Sequence, residues 1–418
     1  MIEGLKLLIL GGNRLSCDIV AAARSLGVFT IVTDWNQPED SPAKILADEY
    51  WNTSILDYDK LFAQIKEANV NGIITGFTDS YLIPYQHLCE LTGLSCYATK
   101  KQFETTLDKG SFKELCRSNG LEVVPEFKID VFSPQCITKK KPVLIKPVDN
   151  SGSRGIFICS SPETFDDLVM QSKSFSKKGD ILIEKYMDCD DVSVEYKIQD
   201  GEITLSSICD RFIHKTDSFG SVTSGLIYPS KYLKRYIEEV DSKVKQMFTS
   251  LGLKNGVLFM QTFVDDDGFY FYEMGYRLSG GRHYIFTENQ NNDSSLKQLI
   301  SFALTGSMDS RRIADIAKPN FRNTCCQLSV LCYSAKINRI IGKDIVSRIP
   351  EVVDVLYSYD EGDTVGKEGT SSQIFAKFHI VTHNLSELRE ILFRIKTTLY
   401  VLDEKGNNMI VDFFEIPY

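Results

Sequence analysis

The pattern of apolar positions changes character twice along the chain. In the first hundred residues, continuous apolar runs at Leu5–Leu10, Val28–Thr33 and Gly72–Gly76 alternate with helically spaced segments at Leu15–Leu26, Tyr58–Asn69 and Tyr81–Leu91. Strands that are apolar without alternation, and separated by helices, predict a parallel sheet covered on both faces. A helix follows around Thr105–Gly120. From Pro142 onward the runs pair as antiparallel strands: Val143–Val148 with Gly155–Ser160, and Ile181–Lys185 with Val192–Gln199. A helix at Tyr232–Leu251 precedes Val257–Val264 and Phe269–Met274, and the Asp265-Asp266-Asp267-Gly268 segment between those two runs predicts a hairpin. A last unit from about Asn320 has strands at Gln327–Ser334 and Ile374–Val381, a helix at Leu385–Tyr400 and a final strand at Met409–Phe414. There is no internal repeat and no low-complexity tract.

Composition narrows the class. The chain has 418 residues, 43% of them hydrophobic and 25% charged, which suits a globular protein of several units. Its 47 basic against 56 acidic residues leave a net charge of −9, which argues against nucleic-acid or anionic-membrane binding. No run reaches the roughly 18 apolar residues of a spanning helix. The opening Met1–Leu10 has an acid at Glu3 and leads into Gly-Gly-Asn, so it reads as a first strand, not a signal peptide. Eleven cysteines without a C-x-x-C and only five histidines favour neither a disulfide framework nor a zinc site. These features predict a cytoplasmic protein.

Two glycine segments carry candidate chemistry. Gly11-Gly12-Asn13, with Asp34 ending the second strand, suggests a dinucleotide site, but Leu15 and Ser16 stand where G-x-G-x-x-G needs its later residues. A tight strand-to-helix turn is the preferred reading. The second segment runs Lys146-Pro147-Val148-Asp149-Asn150-Ser151-Gly152-Ser153-Arg154-Gly155 between two short apolar strands. It is not a P-loop, which opens a helix. A hairpin of small residues can instead close over phosphates with backbone amides and hydroxyls. Lys146 sits within an apolar strand, where an unpaired ammonium is costly and a bound anion would relieve the cost. The competing reading is a lysine that snorkels at a strand end.

Taken in order, these segments resemble the ATP-grasp superfamily over almost the whole chain, especially its carboxylate–amine ligase branch, which includes biotin carboxylase and carbamoyl phosphate synthetase. The resemblance implies an α/β protein of three parts. Residues 1–104 would be an N-terminal parallel-sheet domain. Residues 105–319 would form a two-lobed ATP-grasp domain with antiparallel sheets, its nucleotide lobe about 105–187 and its catalytic lobe about 188–319. Residues 320–418 would be a C-terminal α+β closing domain. The family's first nucleotide lysine would be Lys109, with Lys113 nearby, and its second Lys146. Ser151, Gly152, Ser153 and Gly155 would form the phosphate flap. Glu184, Lys185, Tyr186 and Met187 would be the adenine hinge, and Asp191 would hold the ribose.

In the segment Tyr272-Glu273-Met274-Gly275-Tyr276-Arg277, the resemblance makes Glu273 a magnesium ligand and Arg277 the residue beside the transferring phosphoryl group. Gln261 stands where the family has a second metal-binding acid, and Gly275 where it has asparagine. Arg282 and Lys215 lie where relatives contact the substrate. The activity implied is ATP-dependent activation of a small carboxylate as an acyl phosphate, which an amine or other nucleophile then attacks, with ATP and Mg2+ required. The expected partners are these small molecules, and the fold allows a homodimer. Gln261 and Gly275 keep a catalytically impaired ATP-binding protein as the main rival. A nicotinamide-dependent oxidoreductase rests on the first hundred residues alone.

Overall fold

The computed structural model describes residues 2–129, 131–148, 155–215, 221–411 and 413–416, apart from the side chains of Lys215 and Ser221. The first sheet is parallel, from β1 (Lys6–Leu10), β2 (Phe29–Asp34), β3 (Glu49–Asn52) and β4 (Gly72–Thr75), in the order β3-β2-β1-β4. Strand β3 escapes the sequence pattern because it is an edge strand with Trp51 as its only buried residue. The helix predicted at Leu15–Leu26 spans Ser16–Ser25 and packs Ile19, Val20 and Ala23 into the core. Gly11 has φ +87°, and a Cβ there would lie 2.3 Å from the Tyr81 ring, so the turn requires glycine. Asp34 accepts from the Gly12 amide and the Ser41 hydroxyl, each at 2.8 Å, and pairs with Lys44 at 2.8 Å. Its oxygens are committed within the turn.

The second sheet is antiparallel, from β5 (Glu126–Phe127), β6 (Val143–Pro147), β7 (Phe157–Cys159) and β8 (Ile181–Lys185), in the order β5-β8-β6-β7. One face packs Val143, Ile145, Phe157 and Ile183 against Phe165, Leu168 and Val169 of the helix Phe165–Ser174. The sequence pattern paired Ile181–Lys185 with Val192–Gln199, and that pairing is incorrect. Strand β8 lies between β5 and β6, because Ile183 belongs to this small core while Val192, Val194, Tyr196 and Ile198 belong to the large one.

The third sheet has eight strands, all antiparallel to their neighbours. They are β9 (Asp190–Gln199), β10 (Glu202–Lys215), β11 (Ser221–Tyr228), β12 (Gly256–Val264), β13 (Phe269–Gly275), β14 (Thr324–Leu331), and then, beyond β15 (Ile337–Ile341), β16 (Val352–Tyr357) and β17 (Ile374–Thr382). The order is β13-β12-β9-β10-β11-β14-β17-β16, and β15 pairs separately with β18 (Tyr400–Asp403). The Asp265–Gly268 turn closes the β12–β13 hairpin as the sequence indicates. Pairing of β11 with β14 carries the sheet without interruption past residue 320.

Three other elements differ from the sequence pattern. The helix around Thr105–Gly120 is the second of two, Lys100–Leu107 and Lys109–Ser118, because the Asp108 side chain accepts from the Ser111 amide at 2.8 Å and caps the second. The helix expected at Tyr232–Leu251 is divided at Val240 into Leu233–Glu239 and Asp241–Ser250. The described part of Met409–Phe414 forms no strand; Ile410 bridges Cys332, and the Met409 and Val411 amides donate to the Val401 and Leu331 carbonyls. Among the described residues no helix is long and apolar enough to cross a membrane.

Candidate active site

Strand alternation builds the first part of the site. Val143 and Ile145 of β6 face the small core, so Lys146 projects from the other face, as does Glu184, which pairs with Leu144 in register. Lys146 Nζ lies 2.7 Å from Glu184 Oε2, and the other Glu184 oxygen is bound by Lys113. Lys113 also reaches Glu126 Oε1 at 2.6 Å, and Arg117 takes Glu126 Oε2 at 2.6 Å. Lys113 is fully buried, because the helix Lys109–Ser118 turns Phe112, Lys113 and Cys116 inward.

Two buried cations converge on one carboxylate at the centre of this cluster. Among the described residues, Lys113 and Lys146 both pair with the buried Glu184, while Glu126 and the half-exposed Arg117 lie at the rim. Burial pushes the Lys146 ammonium below its ordinary range against the pull of Glu184, and the charges of Lys113 and Lys109 add to the depression. Burial pushes the Glu184 carboxyl up, but Lys146 and Lys113 outweigh it and hold it below the usual range. Two buried ammonium groups that share one carboxylate are stabilised by an incoming anion. The structure therefore brings together Lys109, Lys146 and Glu184, and adds Lys113 as the residue that bridges both carboxylates.

The rest of the nucleotide set is partly described. Lys185 ends β8, and its amide donates to the Pro125 carbonyl at 2.9 Å, while the Tyr186 amide donates to Pro142 at 3.3 Å. The Lys185 amide, expected to read the adenine edge, is thus occupied within the protein. Met187 is buried. Gly155 has φ +77°, and a Cβ there would meet Phe175 at 2.6 Å, so this end of the loop closes tightly on its neighbours. Ser151, Gly152 and Ser153 lie outside the described residues, as does the side chain of Lys215.

The second part of the site lies on the eight-stranded sheet. Val192, Val194, Tyr196 and Ile198 enter the large core, which leaves Asp191, Ser193, Glu195 and Lys197 on the opposite face. Register places Gln261 directly beside both Glu273 and Ser193 on that face. Asp191 is held by Arg211 Nη1 at 2.7 Å and by the Tyr272 hydroxyl at 3.0 Å from each of its oxygens. Tyr272 stacks on Phe263 with ring centroids 4.5 Å apart. Burial raises the Asp191 pKa, only partly offset by Arg211 and Tyr272, and the nearby Glu273 adds to the rise. Arg211 and Tyr272 thus take the contacts on Asp191 that the resemblance gives to ribose.

Gly275 has a local explanation. A Cβ there would lie 2.5 Å from the Phe259 ring, and that ring stacks under the Arg277 guanidinium at 5.2 Å. Among the described residues no group of three His, Cys, Asp or Glu side chains converges to hold a metal. Glu273 and Gln261 side by side offer two oxygen ligands, which fit one hard cation whose remaining positions would be filled by phosphate and water.

Both arginines expected in catalysis are engaged by carboxylates from distant segments of the chain. Arg277 grips Asp79 with Nε and Nη2, each at 2.6 Å, and Asp79 follows the carboxyl end of β4. Arg282, only 4% exposed, binds Asp18 through Nε at 2.7 Å and Nη2 at 3.0 Å, and binds Asp354 of β16 through Nη1. All three Arg282 nitrogens therefore meet carboxylates of the protein, an arrangement suited to holding three chain segments together.

Residues 139–283 match the family model described as an ATP-grasp domain. This segment is an ATP-grasp domain. It carries every candidate nucleotide, metal and catalytic residue except Lys109. A curated relative, the 2-oxoglutarate carboxylase small subunit of Hydrogenobacter thermophilus, is 26% identical over 203 residues, covering 44% of this chain and 42% of the relative. The chain thus spans less than half the length of that relative. Among solved structures, the L-amino acid ligase of Bacillus licheniformis superposes with a TM-score of 0.79 at 17% identity, covering 97% of this chain and all of that one. The biotin carboxylase domain of the Hydrogenobacter 2-oxoglutarate carboxylase, solved with MgADP and bicarbonate, gives 0.74 at 20% identity over 94% and 90% of the two chains. The ATP-grasp fold therefore extends over nearly the whole molecule, flanking parts included.

Within the ATP-grasp domain and around it, several residues were not singled out from the sequence. Asp18, Asp79 and Asp354 carried no signal, because their partners lie far along the chain. Lys377 and His379 did carry one. They interrupt the apolar strand Ile374–Thr382 in the manner of Lys146 in β6. Lys377 Nζ donates to the Gly280 carbonyl at 2.7 Å, and His379 Nε2 lies 3.2 Å from the Gly281 carbonyl.

Proposed function

We propose that the chain is an ATP-dependent ligase that activates a small carboxylate as an acyl phosphate and joins it to an amine or another nucleophile, releasing ADP and phosphate. The observation that carries this reading is the pair of buried lysines, Lys113 and Lys146, that share the Glu184 carboxylate, within an ATP-grasp fold that also presents Glu273 and Arg277. Lys146 and Lys109 would receive the phosphates, Glu184 would keep both Lys146 and Lys113 in place, and the backbone of Lys185–Met187 would border the adenine. Glu273 and Gln261 would hold a single Mg2+. When bound, that ion would neutralise phosphate charge during transfer. Arg277, packed on Phe259, would stabilise the anionic charge that develops as the phosphoryl group moves to the carboxylate. Asp79 orients Arg277 until the substrate competes for it.

A non-catalytic ATP-binding protein is the second reading. It is favoured by the neutral Gln261 and by the Phe259 ring that fills the space beside Gly275. Phosphate release from ATP, assayed with a panel of carboxylates and amines, separates the two. The ligase reading expects stimulated release that Glu273→Gln abolishes with nucleotide affinity largely kept. A protein that binds ATP, yet releases no phosphate with any carboxylate, supports the second reading.

A further inference from the structure

Strands β14 and β17 have one ordinary face and one anomalous face. Leu328 and Val330 with Ala376, Phe378 and Ile380 pack into the C-terminal core. The opposite face carries Gln327, Ser329, Lys377 and His379, where Gln327, Ser329 and His379 are buried and Lys377 is half-buried. A polar row enclosed in this way is unfavourable unless its groups have partners. Register extends this face across the sheet. His379 pairs with Gln327, Gln327 with Leu226, Leu226 with Arg211, and Arg211 with Asp191. Asp191 is two residues from Ser193, which is beside Gln261 and then Glu273. The anomalous row and the candidate metal ligands therefore belong to one surface.

The Gly280–Gly281 turn, which follows Arg277 closely in the chain, touches this row through Lys377 and His379. Each neighbouring cation already has a carboxylate: Arg277 has Asp79, Arg282 has Asp18 and Asp354, and His379 also lies 3.3 Å from Asp354. Lys377 differs. Among the described residues it makes no ion pair, and its recorded contact is the neutral Gly280 carbonyl. Burial and the Arg282 charge push its pKa down to about 8. A carboxylate replacing that carbonyl would convert a neutral acceptor into a charge-assisted one.

We propose that Lys377 binds the anionic group of the substrate carboxylate, on the sheet face it shares with Glu273. This assignment rests on the ligase reading. The competing role for Lys377 is a tether that only fixes Gly280.

The test uses the full chain with ATP, Mg2+ and hydroxylamine as trapping nucleophile. The panel comprises acetate, bicarbonate, succinate and the proteinogenic amino acids, read by phosphate release and hydroxamate formation. For the most active carboxylate, Lys377→Met should raise KM about ten- to a hundredfold, the loss of a hydrogen bond to a charged group. The KM for ATP should stay unchanged, and Lys377→Arg should stay near wild type. Wild-type KM should also rise as pH passes through about 8, where Lys377 loses its charge, and Lys377→Arg should flatten that rise. Among the described residues the charge acting on Lys377 is that of Arg282; His379 lies two residues along the strand with Asp354 as its partner, and all three are the same in both proteins. A Lys377→Met protein that binds ATP normally and keeps its carboxylate KM overturns the assignment and leaves the ligase reading intact, as does a fall in kcat alone. If no carboxylate yields phosphate or hydroxamate, the ligase reading fails and this assignment falls with it.

Discussion

Two buried ionic clusters in this protein use similar groups to opposite ends. Around Glu184, three cations share two carboxylates, and one of those cations, Lys146, is depressed by burial. Around Arg282, one guanidinium meets two carboxylates from distant segments, Asp18 of the helix Ser16–Ser25 and Asp354 of β16. The first cluster sets two buried cations on one carboxylate, between the small sheet and the helix Lys109–Ser118, whose Phe112 and Cys116 belong to the large core. The second has its cation saturated and joins separate parts of the molecule. Burial of an ion pair does not by itself indicate function. The ratio of cations to carboxylates at the buried centre distinguishes a pocket that awaits an anion from a staple.

The largest effect should come from breaking the staple. Arg282→Ala leaves Asp18 and Asp354 without their buried counter-charge, a loss on the order of 3–5 kcal/mol. Denaturant unfolding should show it. A change below about 1 kcal/mol, the range of exposed pairs, would remove the distinction drawn between the clusters. Lys146→Met tests the other side. Glu184 keeps Lys113 as a partner, so this change should disturb folding far less than Arg282→Ala, yet weaken ATP binding by about 1.5–3 kcal/mol as a charge-assisted contact is lost. Calorimetry showing wild-type ATP affinity in the folded variant would refute the anion-receiving role.

The smallest signal lies in acid. The folded Glu184 carboxyl titrates below its ordinary value of 4.5, so its stabilising contribution is fully present above 4.5 and is lost as pH falls through the depressed folded value. The stability difference between wild type and Glu184→Gln should therefore narrow as pH drops below 4.5. A difference that stays constant with pH would mean that Glu184 stabilises by packing and not by charge.

Much of the local structure was legible in the chain. Continuous apolar runs marked β1, β2 and β4, the Asp-Gly turn marked the β12–β13 hairpin, and a lysine in an apolar strand marked Lys146. Each of these signals lies within a few residues of its consequence, where hydrophobic period and turn chemistry act directly. The same reasoning would have singled out Lys377 and His379, since they break the apolar run of β17 as Lys146 breaks that of β6.

Only the tertiary structure decided the partners. Lys113 meets Glu184 across 71 residues, Arg277 meets Asp79 across 198, and Arg282 meets Asp18 across 264. The transfer of β8 into the small sheet, and the passage of the large sheet beyond residue 320, are of the same kind. Such choices depend on which core each strand face can join and on the register that follows. A side chain's own segment determines that it will be buried and charged, but the packing of distant segments determines what neutralises it, and so whether it holds the fold together or waits for a ligand.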